Sequence, residues 1–358
     1  MTRPARARID LQALQHNFAR VRQAAPHSRT IAILKANAYG HGLVSCARAL
    51  PDADAFGVVT LDEAITLREA GFDRRIILLE GFFSHADLHL VSGYSMDSVL
   101  HHISQVELLE QGPLTRPLDV WVKVDTGMHR LGFAPDSIAD LVARLRNIRH
   151  VNTIRFLTHF ASADEQDNDS TRRQLACFQE SLKSIAGDRS LANSAAVLAW
   201  PDTHTDWVRP GIMLYGGSPL AGRSAQELGL RPVMTLGTQL IAVNQRKKGD
   251  AVGYGGNWLC PQDMSIGVAA IGYGDGYPRH VPAGTPVLVN NKPVPLVGRV
   301  SMDMVCLDLS SQPKAAVRDA VVLWGEGLPV DEVASAAGTI SYELLCSVNS
   351  RVEFEYVG

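Results

Sequence analysis

Lys35 stands directly behind the apolar run Ile31, Ala32, Ile33 and Leu34 in "TIAILKANAYGHG", residues 30–42. Lysine shifts its pKa readily when desolvated, so an amine behind a buried run is a candidate nucleophile or base. Glu80, Lys123, His159, the pair Asn193 and Ser194, and Arg209 each close or flank a similar short run. Together they offer an amine, an acid, a base, cations and hydrogen-bonding groups. They lack the clustered ligands of a metal site, so no metal is expected. Other lysines are few, at 183, 247, 248, 292 and 314. Each residue alone has an ordinary explanation, since a lysine after a strand commonly extends into solvent and a lone histidine is commonly a core residue. An amine kept from water beside other cations has a depressed pKa, however, and suits imine formation with a carbonyl. Read from residues alone, the chain is a candidate imine-forming enzyme with Lys35 as its amine.

These positions need a scaffold that brings strand ends together. From residue 30 to about 216, short β-branched runs alternate with helical patterns, as in repeated βαβ units. The expected strands are 31–35, 55–59, 76–79, 97–100, 119–124, 154–159, 190–193 and 211–215. Between them, Thr60 and Glu63 in "TLDEAITLREAG" have capping-box spacing and Gly71 is placed to end the turn. "PDSIADLVARLRN" opens on Pro135 and Asp136 and closes on arginines, and "STRRQLACFQESLKSI" carries Leu175, Phe178, Leu182 and Ile185 on one stripe. Eight such units fit a (β/α)8 TIM-type barrel, whose chemistry lies at the carboxyl ends of the strands. Lys35, Glu80, Lys123, His159, Asn193, Ser194 and Arg209 all fall on that rim.

After about residue 231 strand-and-turn text takes over, as in "VMTLGTQLIAVNQ" and "TPVLVNNKPVPLVGRVSMDMVCLDLS". The fold class is therefore α/β plus β: a barrel domain at 1–230 and a mostly β domain at 231–358. "VLVNNKPVPLV" reads as a hairpin turning at Asn290 and Asn291, with prolines marking its return strand as an edge. The alternating glycines of "IGYGDGYP" do not follow GxGxxG and run into Pro278, so no dinucleotide loop is expected there.

Composition narrows the class. At 358 residues with 46% hydrophobic and 20% charged residues, the chain is that of an ordinary globular protein of about two domains. A net charge of −3 gives no reason to expect nucleic acid or an anionic membrane as partner. No apolar run approaches the roughly 20 residues that cross a bilayer, and the arginines of "MTRPARARID" lack the apolar stretch of a secretory leader. Cysteines at 46, 177, 260, 306 and 346, without a CxxC pair, point to free thiols and a cytoplasmic location.

The motifs "AILKANAYGHG", "VKVDTGMHRLGF", "THFASADE", "NSAA", "DWVRPGIMLYG", "VGYGG", "GYGDGYPR" and "VGRVSMDM" follow one another in the order found in bacterial alanine racemases. The chain thus resembles, over essentially its whole length, these two-domain pyridoxal phosphate enzymes of fold-type III. The resemblance implies that Lys35 holds pyridoxal 5'-phosphate as an aldimine. It implies that Tyr39, Ser194, the backbone of Gly211 and Ile212, and Tyr342 cradle the phosphate. Arg209 would face the pyridine nitrogen, with His159 hydrogen-bonded behind it. Racemisation needs a base on each face of the α-carbon, and by resemblance these are Lys35 and Tyr254, the latter reaching the active site of the other subunit of a homodimer. Arg130 would bind the cofactor phenolic oxygen and the substrate carboxylate. Met302, Tyr273 and Asp303, again from the partner, would line the substrate side, with Arg279 and Arg299 at the entrance. Lys123 matches a lysine that is carbamylated in many relatives and orients Arg130.

The implied activity is interconversion of L- and D-alanine, for peptidoglycan or for alanine catabolism. A racemase acting also on serine is a neighbouring reading, because one methylene is worth only about 1 to 3 kcal/mol of discrimination. A barrel decarboxylase of basic amino acids shares the architecture but would need a cysteine and acidic groups at the subunit boundary, for which no motif is found. A non-catalytic pyridoxal phosphate carrier would lack both the β domain and Tyr254.

Overall fold

The computed structural model describes residues 3–112 and 114–358. It opens with strand β1 (Arg6–Asp10). Eight parallel strands then close a barrel: β2 (Arg29–Ile33), β3 (Ala55–Val58), β4 (Arg75–Leu78), β5 (Asp97–Leu100), β6 (Leu118–Lys123), β7 (Val151–Leu157), β8 (Arg189–Asn193) and β9 (Trp207–Arg209). The TIM-type barrel is followed by a mostly β region. It comprises β10 (Met234–Arg246), β11 (Ala251–Val252), β12 (Trp258–Leu259), β13 (Met264–Ala269), β14 (Pro286–Val289), β15 (Lys292–Val297), β16 (Val305–Asp308), β17 (Ala320–Trp324) and β18 (Glu353–Val357).

Local sequence explains the helices that space the barrel strands. The amide of Glu63 donates to Thr60 Oγ1 at 3.2 Å and the amide of Thr60 donates to Glu63 Oε2 at 3.3 Å, which fixes the start of helix Leu61–Glu69. Ala64 and Leu67 are buried on its inner face. Helix Ile138–Arg146 begins after the single turn Pro135–Ser137, and helix Ser170–Ser181 buries Phe178 completely.

The last barrel strand is Trp207–Arg209, not the expected 211–215. Pro210 and Gly211 interrupt the chain, and Ile212–Tyr215 forms a tight 3₁₀ turn. All four side chains of that turn are buried, and a short buried apolar run has no periodicity to tell a strand from a turn. Arg209 is thus the terminal residue of β9 instead of lying before the last strand.

In the second sheet β10 is long enough to pair β17 with its first half and β13 with its second, closing a ring of six strands with β14, β15 and β16. β1 adds to β10, with Ala7 opposite Leu236, and parallel to β18, with Ala7 opposite Phe354. The amino-terminal strand is therefore built into the sheet of the carboxyl-terminal region. Asn290 and Asn291 turn the β14–β15 hairpin with φ of 48° and 61°, as a two-residue turn requires. β15 is an edge only over its proline half, because Leu296 and Val297 pair with β16. Pro293 and Pro295 lie before that pairing, where a missing N–H costs nothing.

The amino ends of the barrel strands are closed by charge. Arg75 donates to Asp119 Oδ2 at 2.8 Å and to Asp97, Arg155 donates to Asp119 Oδ2 at 3.0 Å, and Trp121 Nε1 donates to Asp97 at 2.8 Å. The opposite end is left open for chemistry.

Candidate active site

A cavity of about 1150 Å³ opens at the carboxyl ends of the barrel strands, between the barrel and the segment Pro329–Tyr342. Lys35, Tyr39, Lys123, Arg130 and His159 line it, as do Ser194, Arg209, Gly211, Ile212 and Tyr342. Glu80 and Asn193 stand on the same rim.

Lys35 does not end a strand, because β2 stops at Ile33. It begins a turn, Lys35–Gly40, in which Ala36, Asn37, Ala38 and Tyr39 all have φ between 52° and 54° and ψ between 41° and 51°. This is a full left-handed turn of non-glycine residues, at a cost of roughly 1 to 2 kcal/mol each. Only its surroundings can hold it. The amide of Ala38 donates to Leu34 O at 2.7 Å, that of Gly42 to Asn37 O at 3.0 Å, and that of Leu43 to Asn37 Oδ1 at 2.8 Å. Asn37 N donates to Glu63 Oε1 at 3.1 Å, so the capping carboxylate of helix Leu61–Glu69 also braces the turn. A side chain at Gly40 would strike the carbonyl of Leu345, so the second region packs directly on the turn.

Tyr39 is buried and its ring stacks on Tyr215, centroid to centroid 4.8 Å, with Tyr342 tilted against it at 5.9 Å. Burial, then the neighbouring Tyr342, pushes the Tyr39 phenol far above its ordinary range. Burial, aided by Asp164 and Asp331, pushes Tyr342 up to about 12. Both therefore stay neutral hydrogen-bond donors. Ser194 Oγ accepts the amides of Gly211 at 2.7 Å and Met213 at 3.4 Å. A Cβ at Gly211 would lie 2.5 Å from the Tyr39 hydroxyl, so the missing side chain keeps this corner open.

Arg209 is buried and charged. Its Nη1 donates to Ser190 O at 2.6 Å and Ser190 Oγ at 2.8 Å, and its Nη2 to Thr158 O at 2.5 Å and Leu191 O at 3.2 Å. Burial lowers it only to about 10. The expected hydrogen bond between Arg209 and His159 is not among those of the described residues. Three carbonyls and a hydroxyl already occupy the Nη donors, leaving Nε as the nitrogen not engaged by the barrel. His159 is lowered to about 3 by burial and then by Arg209, Lys123, Arg130 and Lys35, so it is neutral. Lys123 falls to about 8, through burial first and then Arg130 and Arg209. Arg130 is exposed to the cavity.

Tyr254, Tyr273, Met302 and Asp303 do not line this cavity. Tyr254 is 67% exposed on the turn Tyr254–Gly256 between β11 and β12, and Met302 and Tyr273 are also exposed. The loops bearing the latter pair are stitched together, with Tyr273 N donating to Ser301 O at 3.1 Å and Gly274 N to Met302 O at 2.8 Å. Asp303 is paired with Arg351, and its carbonyl accepts Arg3 at 2.8 Å. Arg279 and Arg299 are exposed. Tyr215 and His41, which also build the Tyr39 corner, were not singled out from the sequence. The only signal for His41 was its place between Gly40 and Gly42.

Residues 9–219 match the family model for the alanine racemase N-terminal domain, and residues 233–356 match that for the C-terminal domain. The chain belongs to the alanine racemase family. It is 53% identical over 345 residues to an alanine racemase of Nitrosococcus oceani, covering 96% of this chain and 97% of that protein. The biosynthetic alanine racemase of Pseudomonas aeruginosa superposes with a TM-score of 0.97 at 48% identity, each chain fully covered. The Bartonella henselae alanine racemase with covalently bound pyridoxal phosphate superposes at 0.90 with 29% identity over 99% of each chain. The activity is accordingly that of an alanine racemase, a pyridoxal phosphate-dependent isomerase of L- and D-alanine.

The donor set fits that cofactor. An amine for the aldehyde stands on the rim, and the corner of Ser194, Gly211 and Tyr39 is one that a single Cβ would fill. The group facing the remaining space from β9 is a cation, not a carboxylate.

Proposed function

We propose that the barrel cavity is the racemase active site and that a homodimer completes it. Lys35 would hold pyridoxal phosphate through Nζ. Tyr39, Ser194, Tyr342 and the backbone at Gly211 and Ile212 would hold its phosphate, the start of a helical turn being a natural anion site. When bound, the cofactor supplies an electrophilic carbonyl and a conjugated ring that accepts electron density from the α-carbon.

The chain's own residues do the rest. Arg209, fixed by four hydrogen bonds, places a permanent cation at the ring end of the site, so no carboxylate is there to keep a ring nitrogen protonated. The sink is weaker for it, which favours return of the proton over side reactions. Neutral His159 adds no further charge behind it. Arg130, which has no hydrogen bond or ion pair among the described residues, is the cation offered to a substrate carboxylate. Lys35 Nζ moves the proton on one face of the α-carbon and the Tyr254 phenolic oxygen moves it on the other.

The observation that carries this reading is the division of the chemistry. Lys35, Arg130 and Arg209 face one cavity, whereas Tyr254, Tyr273 and Met302 of the same chain project from the second region into solvent. Exposed large apolar side chains grouped in this way suit a subunit surface. The division at 230/231, the contribution of residues 231–358 to a partner's site, and a cytoplasmic location belong to the same proposal. Supporting the last, all five cysteines are free, and no helix among the described residues is long and apolar enough to cross a membrane. Met302 and Tyr273 would leave little room beyond a methyl group, which favours alanine over serine.

Circular dichroism of L-alanine and D-alanine, incubated separately with protein and cofactor, tests the assignment. Both signals should decay to zero at a rate proportional to enzyme, and the Lys35→Ala protein should leave both unchanged. Tyr254→Phe should slow α-proton exchange from one enantiomer more than from the other. Equal slowing of both would contradict the two-base assignment.

A further inference from the structure

His41 is wholly buried, carries no role in the reaction above, and is hydrogen-bonded in an unusual way. Its Nδ1 lies 3.0 Å from Ala38 O and 2.8 Å from Tyr39 O. Both partners are carbonyls, so Nδ1 must carry the proton and donate to both. Nε2 is buried without a partner, which only the neutral ring tolerates. Burial keeps it so, lowering His41 to about 4 against the smaller upward pull of the two carbonyls.

The two acceptors belong to the left-handed turn that begins at Lys35 and ends past Tyr39. The imidazole also lies against Tyr215, ring centroids 4.7 Å apart, and Tyr215 itself stacks on Tyr39. Tyr215 in turn donates its hydroxyl to Ile33 O at 2.8 Å, the last residue of β2. One side chain therefore ties the far end of the strained turn to itself, while the ring it touches ties the near end to the barrel.

Four consecutive left-handed non-glycine residues are unfavourable. The carbonyl of Ala38 also accepts the His41 amide at 3.0 Å, whereas among the described residues the imidazole Nδ1–H is the donor to the carbonyl of Tyr39. We infer that His41 is a positioning residue for cofactor capture: its Nδ1–H closes the left-handed turn and thereby fixes Lys35 Nζ and the Tyr39 hydroxyl relative to each other. The inference rests on the assignment of Lys35 and Tyr39 as cofactor residues.

The test compares apoprotein of the parent chain with His41→Asn, His41→Gln, His41→Phe and Lys35→Ala. The Asn amide reaches the position of Nδ1, whereas the Gln amide reaches that of Nε2. Each protein is titrated with pyridoxal 5'-phosphate, treated with borohydride and mapped for the modified lysine, with the thermal midpoint of the apoprotein recorded alongside. His41→Asn should bind cofactor within about threefold of the parent, while His41→Gln and His41→Phe should bind about tenfold to a hundredfold more weakly, the range for one buried donor removed. In the weakened variants kcat should fall with cofactor saturating, while KM for alanine stays near the parent value, because Arg130 lies on a different segment.

Parent-like binding and fixation on Lys35 by His41→Gln or His41→Phe would overturn the inference. Equal weakening by Asn and Gln would also overturn it, by showing that ring volume and not the donor matters. If His41→Phe does not fold, the Asn and Gln pair decides alone. Lys35→Ala that still captures the cofactor covalently on this rim would instead remove the assignment on which the inference stands.

Discussion

Lys123 gives the sharpest numerical prediction. Its ammonium is held to about 8 by burial, then by Arg130 and Arg209, against an ordinary value of 10.5. Near pH 7.5 about one quarter of such amines are neutral, compared with about one in a thousand for an unperturbed lysine, a gain of roughly 200-fold. Only the neutral amine attacks carbon dioxide, so Lys123 should carbamylate far ahead of the solvent-exposed lysines. The product is an anion beside Arg130, which turns a repulsion into an attraction and draws the reaction forward. The assay is ¹³C NMR of protein equilibrated with labelled bicarbonate at neutral pH, since carbamates decompose in acid. Beyond the resonance of the α-amino group, whose ordinary pKa is also about 8, one lysine carbamate resonance should appear in the parent and vanish in Lys123→Ala. Arg130→Gln removes the largest repulsive neighbour and the counterion of the product together, so the resonance should weaken strongly. A folded parent protein with no such resonance, or one that survives in Lys123→Ala, would refute the reasoning.

Two further predictions follow from packing and charge. Gly211→Ala places a methyl 2.5 Å from the Tyr39 hydroxyl and 3.2 Å from its ring carbon, so cofactor affinity should fall by about tenfold or more, as measured by titration of folded apoprotein. Burial alone would raise Asp119, but hydrogen bonds from Arg75, Asn152 and Arg155 outweigh it and lower the group to about 2 from 3.8. A carboxylate with a depressed folded pKa stabilises above its unfolded pKa and ceases to as pH falls through the folded one. Asp119→Asn should therefore lose about 1 to 2 kcal/mol by denaturant titration near neutrality, allowing for solvent screening, and the difference from the parent should shrink between about pH 4 and pH 2. A difference independent of pH would place the loss in packing.

Much of this architecture is legible in the residues. Seven barrel strands follow from β-branched runs, and the Thr60–Glu63 cap follows from spacing alone. The eighth strand does not, because Ile212–Tyr215 is as apolar as a strand and the true one is three residues long. β1 alternates correctly, burying Ala7 and Ile9, but its partners lie beyond the whole barrel, and local pattern says nothing of pairing at such separation. The left-handed turn after Lys35 is invisible because its residues are Ala, Asn, Ala and Tyr, none of them glycine. It exists because His41, Tyr215 and the carbonyl of Leu345 surround it. On the barrel side, strand ends alone marked Lys35, Lys123, His159, Ser194 and Arg209 as neighbours, and the cavity contains them all. Tyr254 is different: the role proposed for it rests on resemblance alone, since a tyrosine among glycines on a hairpin turn has no chemistry of its own that its neighbours in sequence reveal.

The central claim, that Lys35 of one subunit works with Tyr254 of the other, is tested most directly by mixing two inactive proteins. In a hybrid of Lys35→Ala and Tyr254→Ala subunits, one barrel keeps its lysine and receives an intact tyrosine from its neighbour, while the second site lacks both. After subunit exchange half the dimers are hybrids with one of two sites restored, so racemisation should recover to about one quarter of the parent rate. If hybrids form, as a tag on one subunit would reveal, and no activity returns, then Tyr254 does not act across the interface.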